Sequence, residues 1–176
     1  EVKNDYMNRS SNIFFDIDGT LLDFGKKDLS PQIREALLKL RTNGTRICIA
    51  TGRSPLAVPM FEGVEFDAYL TYNGCYCYEG SRTIYSNPMP QADVQTIIRN
   101  AAAMERTLSV ATKDRLISNG TDPDLEEYYA FGNQKVTIPE EFDEVSRGEI
   151  YQLLMACRKE EYAQVLQTPH GAKITS

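Results

Sequence analysis

Acidic residues outnumber basic ones by 25 to 19 over 176 residues, and the formal net charge of -6 leaves no basic stripe with which to displace counterions from a nucleic acid. No apolar run is long enough to cross a bilayer, and four cysteines with neither a CxxC pair nor a secretory leader read as reduced thiols of a cytoplasmic protein. The length suits one domain or two small ones with a real apolar core, and an anionic ligand would have to be held by local donors or a metal against an unfavourable overall field.

Residues 1–11 are polar and read as a tail. The run Ile13-Phe14-Phe15 lacks period-two alternation, which predicts a short strand buried on both faces of a parallel sheet. Asp16 and Asp18 follow it, at the carboxyl end where open α/β sheets bind ligands. With extended backbone through Ile17 the two carboxylates point the same way, and such a pair holds one divalent cation well. An ordinary Asp-Gly turn is the plainer reading of the same residues. An EF-hand loop fits poorly, because its glycine belongs at the sixth position and Gly19 is only the fourth counted from Asp16.

Ser30-Pro31 is an N-cap followed by proline at the first helical position. Ile33, Ala36, Leu37 and Leu40 then share one face of the predicted helix, which Asn43-Gly44 stops. Arg46–Ala50 is the next strand, and the unit built so far is a right-handed βαβ crossover with parallel strands. It carries Thr51-Gly52-Arg53 to the same sheet edge as Asp16. Gly52 permits close approach of a ligand, and a helix expected from Pro55 offers an anion-friendly N-terminus. Taken alone, Thr51 reads as a strand-end hydroxyl satisfied by backbone.

A third strand, Ala68–Tyr72, closes in Asn73-Gly74, and the pattern then changes. Cys75–Tyr78 and Thr83–Ser86 form a predicted hairpin, with Cys75 and Cys77 on one face, and Pro90 opens a helix carrying Val94, Ile97, Ile98 and Ala101. A strand pair over Thr107–Thr112 and Arg115–Ser118 follows, then a helix capped by Asp122 that turns Leu125, Tyr128 and Tyr129 inward and ends at Gly132. Lys135–Ile138 reads as a short strand, Glu140–Val145 as a weak helix, Glu149–Cys157 as a strand, Lys159–Leu166 as a helix and Ala172–Thr175 as a last strand. The sole histidine, His170, lies in a turn-like Thr-Pro-His-Gly setting that suits a solvated residue better than a catalytic one. Two grammars imply two units: a parallel α/β part over 12–74 and an α+β part over 75–176.

The stretch Asp16-Ile17-Asp18-Gly19-Thr20-Leu21 behind an apolar strand resembles motif I of the haloacid dehalogenase-like (HAD) superfamily, and Ala50-Thr51-Gly52-Arg53 resembles its motif II. The order of elements and the Tyr72-Asn73-Gly74 turn are similar to the Cof-type branch, in which a large α/β cap is inserted after the third core strand. The resemblance implies a Rossmann-like parallel core, here partial, followed by a C2-type cap. It also implies a later lysine and an acidic Gly-Asp-x-x-Asn-Asp-like stretch. Neither is present, and Lys173 sits in what reads as a cap strand. Three parallel strands in the order one-two-three would leave Ile-Phe-Phe as an apolar edge, so the natural protein is expected to continue beyond Ser176, the alternative being that another chain covers the edge.

By that resemblance Asp16 is the nucleophile, forming an aspartyl-phosphate, and Asp18 is the acid that protonates the leaving alkoxide and then deprotonates water. A raised pKa at Asp18, from its neighbour carboxylate and enclosure, would suit that double duty. Mg²⁺ would be held by the Asp16 carboxylate, by the backbone carbonyl of Asp18 and by the missing downstream acid. Thr51 and the N–H groups of Asp18, Gly19 and Gly52 would bind phosphoryl oxygens, and Arg53 and Asn73 would either contact the substrate or tie the core to the cap. The expected activity is hydrolysis of small phosphorylated metabolites, above all sugar phosphates. A phosphomutase using the same intermediate is the nearest alternative, and a non-catalytic module binding a phosphorylated ligand or partner is the other.

Overall fold

The computed structural model describes residues 11–23, 25–131 and 135–167. These fall into two compact units, Glu1–Ser86 and Asn87–Ser176.

The first unit is a five-stranded sheet with one helix and irregular segments against it. Its elements are β1 (Asn12–Phe15), α1 (Pro31–Thr42), β2 (Arg46–Ala50), β3 (Ala68–Thr71), β4 (Tyr76–Glu79) and β5 (Arg82–Ser86), with the strands in numerical order across the sheet. β1, β2 and β3 run parallel, and the β4–β5 hairpin is added antiparallel to β3. α1 forms where expected, because the Ser30 side chain accepts from the Ile33 N–H and Gly44 takes φ +78° just past the end. Leu37 anchors it among Ile17, Leu22, Ile47, Ile49, Phe61 and Phe66, with Ile33 and Leu40 alongside. Ala36 is exposed, since the helix turns a narrower stripe inward than the pattern suggested.

Three expectations for this unit change. β1, whose residues alone suggested burial on both faces, lies at the sheet edge as the strand order one-two-three implied, with Ile13 36% and Phe14 52% exposed. The helix expected from Pro55 is a single 3-10 turn, Pro55–Ala57, which the second proline at Pro59 keeps from lengthening. So short a turn supplies no helical N-terminus for an anion. The hairpin read as opening the second unit is hydrogen-bonded to β3, so the sheet runs on to Ser86. Stacking of Tyr69 on Tyr78 across that seam, with centroids 4.9 Å apart, buries both rings in part, and burial pushes the Tyr78 phenol up to about 12.

The second unit comprises α2 (Gln91–Ala103), β6 (Ser109–Ala111), β7 (Leu116–Ser118), α3 (Pro123–Phe131), α4 (Phe142–Val145), β8 (Gln152–Leu154) and α5 (Tyr162–Gln167), with its antiparallel sheet in the order β7-β6-β8. Val94, Ala101, Leu108, Val110, Ile117, Phe142 and Ile150 make its core. Asp122 caps α3 through the Leu125 N–H at 2.9 Å, and Leu125 and Tyr129 point inward while Tyr128 points out. The strand expected over Glu149–Cys157 keeps only the three residues that find a partner on β6. Lys135–Ile138 forms no ladder; its one bond to β7 runs from the Ser118 N–H to the Thr137 carbonyl. The segment from Lys159 begins as a 3-10 turn over Lys159–Glu161 before α5. Gly132, His170, Lys173 and the strand expected at Ala172–Thr175 lie outside the described residues.

A half-buried ion network ties this unit together. Arg106 pairs with Glu161 and, at 2.8 Å, with Asp124, which also accepts from Arg158 at 3.0 Å. Hydrogen bonds from Arg106 hold the Glu161 and Asp124 carboxyls below the usual carboxylate range. A carboxyl whose pKa is lower folded than unfolded stabilises the fold above its unfolded value, about 4, and that contribution is lost as pH falls through the folded value. Amide exchange within α3 is therefore expected to accelerate as pH falls from about 5 to about 3, after correction for intrinsic exchange. Arg106→Gln should flatten that dependence and leave the unit less stable at neutral pH.

Candidate active site

Parallel pairing of β1, β2 and β3 brings their carboxyl ends to one edge of the first unit's sheet. Phe15 pairs with Ile49 and Ala50 with Leu70, so Asp16 and Thr51 each leave a strand at that edge, and the turn Tyr72–Gly74 follows β3 there.

The loop after β1 is organised on Ile17, fully buried, whose carbonyl accepts from the N–H groups of Leu21 at 3.1 Å and Leu22 at 2.9 Å, with Thr20 at 3.4 Å. Ile17, Leu21 and Leu22 drive their side chains into the core, and the residues between them, Asp18, Gly19 and Thr20, are left outside. Gly19 sits at φ +78°, a left-handed position that suits a residue without a Cβ. Its N–H, expected to face a phosphoryl oxygen, donates instead to the Leu22 carbonyl at 2.8 Å. Gly19 thus serves the turn, and Asp18 and Gly52 remain as the backbone donors of the expected set.

Thr51 is 4% exposed. Its N–H donates to the Leu70 carbonyl at 2.8 Å, its carbonyl accepts from the Asn73 N–H at 3.0 Å, and its Oγ1 accepts from the Arg53 N–H at 3.2 Å. The hydroxyl proton remains for donation. Tyr72 and Asn73 both carry positive φ, 51° and 55°, and the Tyr72 N–H donates to the Arg53 carbonyl at 3.0 Å. Two successive left-handed non-glycine residues are costly, and they are held because both N–H groups are tied to the end of β2. This places the Asn73 carboxamide over Gly52, where an added Cβ would come within 3.1 Å of Asn73 Oδ1.

Asp18 and Arg53 face each other as a fork. Arg53 Nε donates to Asp18 Oδ2 at 3.0 Å and Nη2 to Oδ1 at 2.6 Å, while Nη1 donates to the Ala57 carbonyl at 3.0 Å. The hydrogen bond to Asp18 raises the Arg53 pKa against the opposing effect of burial, and Asp16 adds a further Coulombic attraction. Among the described residues the Asp18 side chain is 49% exposed. The Ala57 carbonyl is the part of the site that sequence reasoning missed, because a backbone acceptor carries no residue signature.

Arg53 donates to both side-chain oxygens of Asp18, which leaves the backbone carbonyl of Asp18 as the group expected to join the Asp16 carboxylate in holding Mg²⁺. Among the described residues no group of three or more His, Cys, Asp or Glu converges on a metal position. The exposed Asp16 carboxylate does suit a hard cation that retains most of its waters and takes one or two carboxylates.

The profile of the haloacid dehalogenase-like hydrolases matches residues 13–172. The chain belongs to this family. Among its relatives, YkrA of Bacillus subtilis, named as a candidate phosphatase, is 32% identical over 152 residues, covering 85% of this chain and 58% of YkrA. A hypothetical protein of Geobacillus kaustophilus superposes with a TM-score of 0.79 at 27% identity, covering 90% of this chain and 62% of its own. BT4131, a sugar phosphatase of HAD subclass IIB, superposes with a TM-score of 0.70 at 27% identity over 90% of this chain and 63% of its own. The chain therefore spans about three fifths of the length of these haloacid dehalogenase-like relatives.

The left-handed turn gives a stability test that needs no substrate. Asn73→Ala is expected to cost about 1 kcal/mol, the penalty of an ordinary L-residue at that φ, whereas Asn73→Gly should stay within about 0.5 kcal/mol of the parent. Urea denaturation of the two variants measures the difference.

Proposed function

We propose that this chain carries the nucleophile-bearing part of a phosphomonoesterase that acts on small phosphorylated metabolites, sugar phosphates being the expected class. The single observation that carries the reading is the convergence, on one sheet edge, of an exposed Asp16, an Asp18 held in a fork, and a Thr51 hydroxyl with its proton unspent. Family membership supports it, as does the likeness to a sugar phosphatase of HAD subclass IIB. On this reading residues 75–176 form the cap domain that selects the substrate. Among the described residues no helix is long and apolar enough to cross a membrane.

In the proposed reaction an Asp16 oxygen attacks phosphorus in line and the ester bond to the leaving alkoxide breaks. Asp18 gives that alkoxide its proton. Asp18 then takes a proton from water as the water oxygen attacks phosphorus, which releases inorganic phosphate and restores Asp16. The Thr51 hydroxyl and the N–H groups of Asp18 and Gly52 donate to the phosphoryl oxygens, where charge shifts in the transition state. Mg²⁺ bound at the Asp16 carboxylate would supply the positive charge that lets one anion approach another.

Asp16→Asn in the complete protein is expected to abolish Mg²⁺-dependent release of inorganic phosphate without changing the melting temperature by more than a degree or so. Turnover retained in that variant would remove Asp16 as nucleophile. Asp18→Asn should cost roughly 10²-fold or more for alkyl phosphates and much less for aryl phosphates, whose leaving group needs no proton. Equal losses for the two classes would rule out a proton-donor role. Release of inorganic phosphate, as opposed to an isomerised sugar phosphate, separates this reading from a phosphomutase.

A further inference from the structure

We propose that Arg53 is a positioning residue for Asp18 and not a contact for the substrate's phosphoryl group. The inference deepens the phosphatase reading and rests on it for the role of Asp18.

An arginine beside a phosphate site is ordinarily taken as a phosphate ligand, because its planar fork matches phosphate as well as carboxylate. In this chain the fork is already committed. Nε and Nη2 both donate to Asp18, at 3.0 and 2.6 Å, and Nη1 donates away from the sheet edge to the Ala57 carbonyl at 3.0 Å. The backbone of Arg53 is committed too, its N–H to Thr51 Oγ1 and its carbonyl to the Tyr72 N–H. Side chain and main chain are therefore held from four directions: the loop after β1, the Pro55–Ala57 turn, the end of β2 and the turn after β3.

The stabilising value of such a pair is small, because the side chains remain 32% and 49% exposed and water screens them. Its value is geometric. A carboxylate on an exposed loop has free rotamers, and a bidentate fork selects one of them. The turn that anchors the fork lies between Pro55 and Pro59, which restrict its backbone. Arg53 thus transmits the rigidity of that turn to the carboxylate of Asp18. Lysine, a single rotating point charge, could hold one oxygen but not the plane of the group.

The test uses the complete protein, with Arg53→Gln and Arg53→Lys assayed on an alkyl and an aryl phosphate and with inorganic phosphate as the binding probe. A positioning role predicts that kcat for the alkyl ester falls by about 10-fold or more in both variants, with a much smaller fall for the aryl ester. KM and the inhibition constant of inorganic phosphate should stay within about twofold of the parent. A rise in both KM and that inhibition constant, matched between the two esters, would overturn the proposal and return Arg53 to the substrate.

A second readout does not depend on turnover. The Arg53 Nε–H resonance should be sharp and slow to exchange in the parent, lose that protection in Asp18→Ala, and stay unmoved on titration with inorganic phosphate. A saturable shift of that resonance with phosphate would overturn the assignment even if the protein hydrolysed no phosphate ester. Absence of turnover in the parent, with the resonance protected by Asp18 alone, would instead count against the phosphatase reading and leave the pairing of Arg53 with Asp18 standing.

Discussion

Everything at the candidate site depends on the parallel pairing of β1 with β2 through α1. The pairing sets Phe15 beside Ile49 and so fixes where Asp16 and Thr51 leave the sheet. It is held by the burial of Leu37 from the helix against Ile47 and Ile49 from the strand, and by Ile17, which closes the core directly behind the acidic loop. Fully burying one such aliphatic side chain is worth roughly 1.5–3 kcal/mol, more than an exposed ion pair at the same edge returns. The apolar residues therefore decide the geometry, and the charged ones occupy the positions that geometry provides.

The polar groups at the edge are arranged so that few are left to choose their own orientation. Ile17 gathers backbone donors from the loop, Thr51 and Arg53 gather those of the turn after β3, and Arg53 spans from motif II to Asp18. The strained turn at Tyr72 and Asn73 exists only because the end of β2 accepts both of its N–H groups. Strain of this kind persists where surroundings over-determine it, which is the condition under which a site holds its groups within a fraction of an ångström.

The two units solve the problem of polar groups differently. In the second, a half-buried network forms around Arg106, a separate pair joins Arg115 to Glu141, and a buried chain of hydroxyls runs from Tyr129 through Ser109 to Ser118 at 2.7 and 2.5 Å. These groups are satisfied inside the unit and specify its packing. In the first unit Asp16 and the Asp18–Arg53 pair lie at the sheet edge, while pairs such as Arg46 with Glu79 tie strands together elsewhere.

Much of this was legible in the residue order, because strands, caps and the two motifs are local signals. Ser30-Pro31 starts α1, Asn43-Gly44 ends it, β2 has its expected bounds, and Asp16 and Thr51 stand where strand ends put them. What the chain could not announce was decided by partners distant in sequence. The outward face of Phe14, the short ladder at β8 and the attachment of the β4–β5 hairpin to β3 depend on which neighbour each strand finds. The Gly19 N–H was expected to face a ligand and is taken by the Leu22 carbonyl, and Arg53 was expected on the substrate or between core and cap and lies on Asp18 with Ala57 behind it. Sequence by itself determined which functional groups this protein possesses and at which sheet edge they emerge, since periodicity and turn chemistry act over a few residues. Only the tertiary structure decided which of those groups are free and which already hold one another, because a hydrogen bond is settled by what comes within 3 Å in space and not by what comes next along the chain.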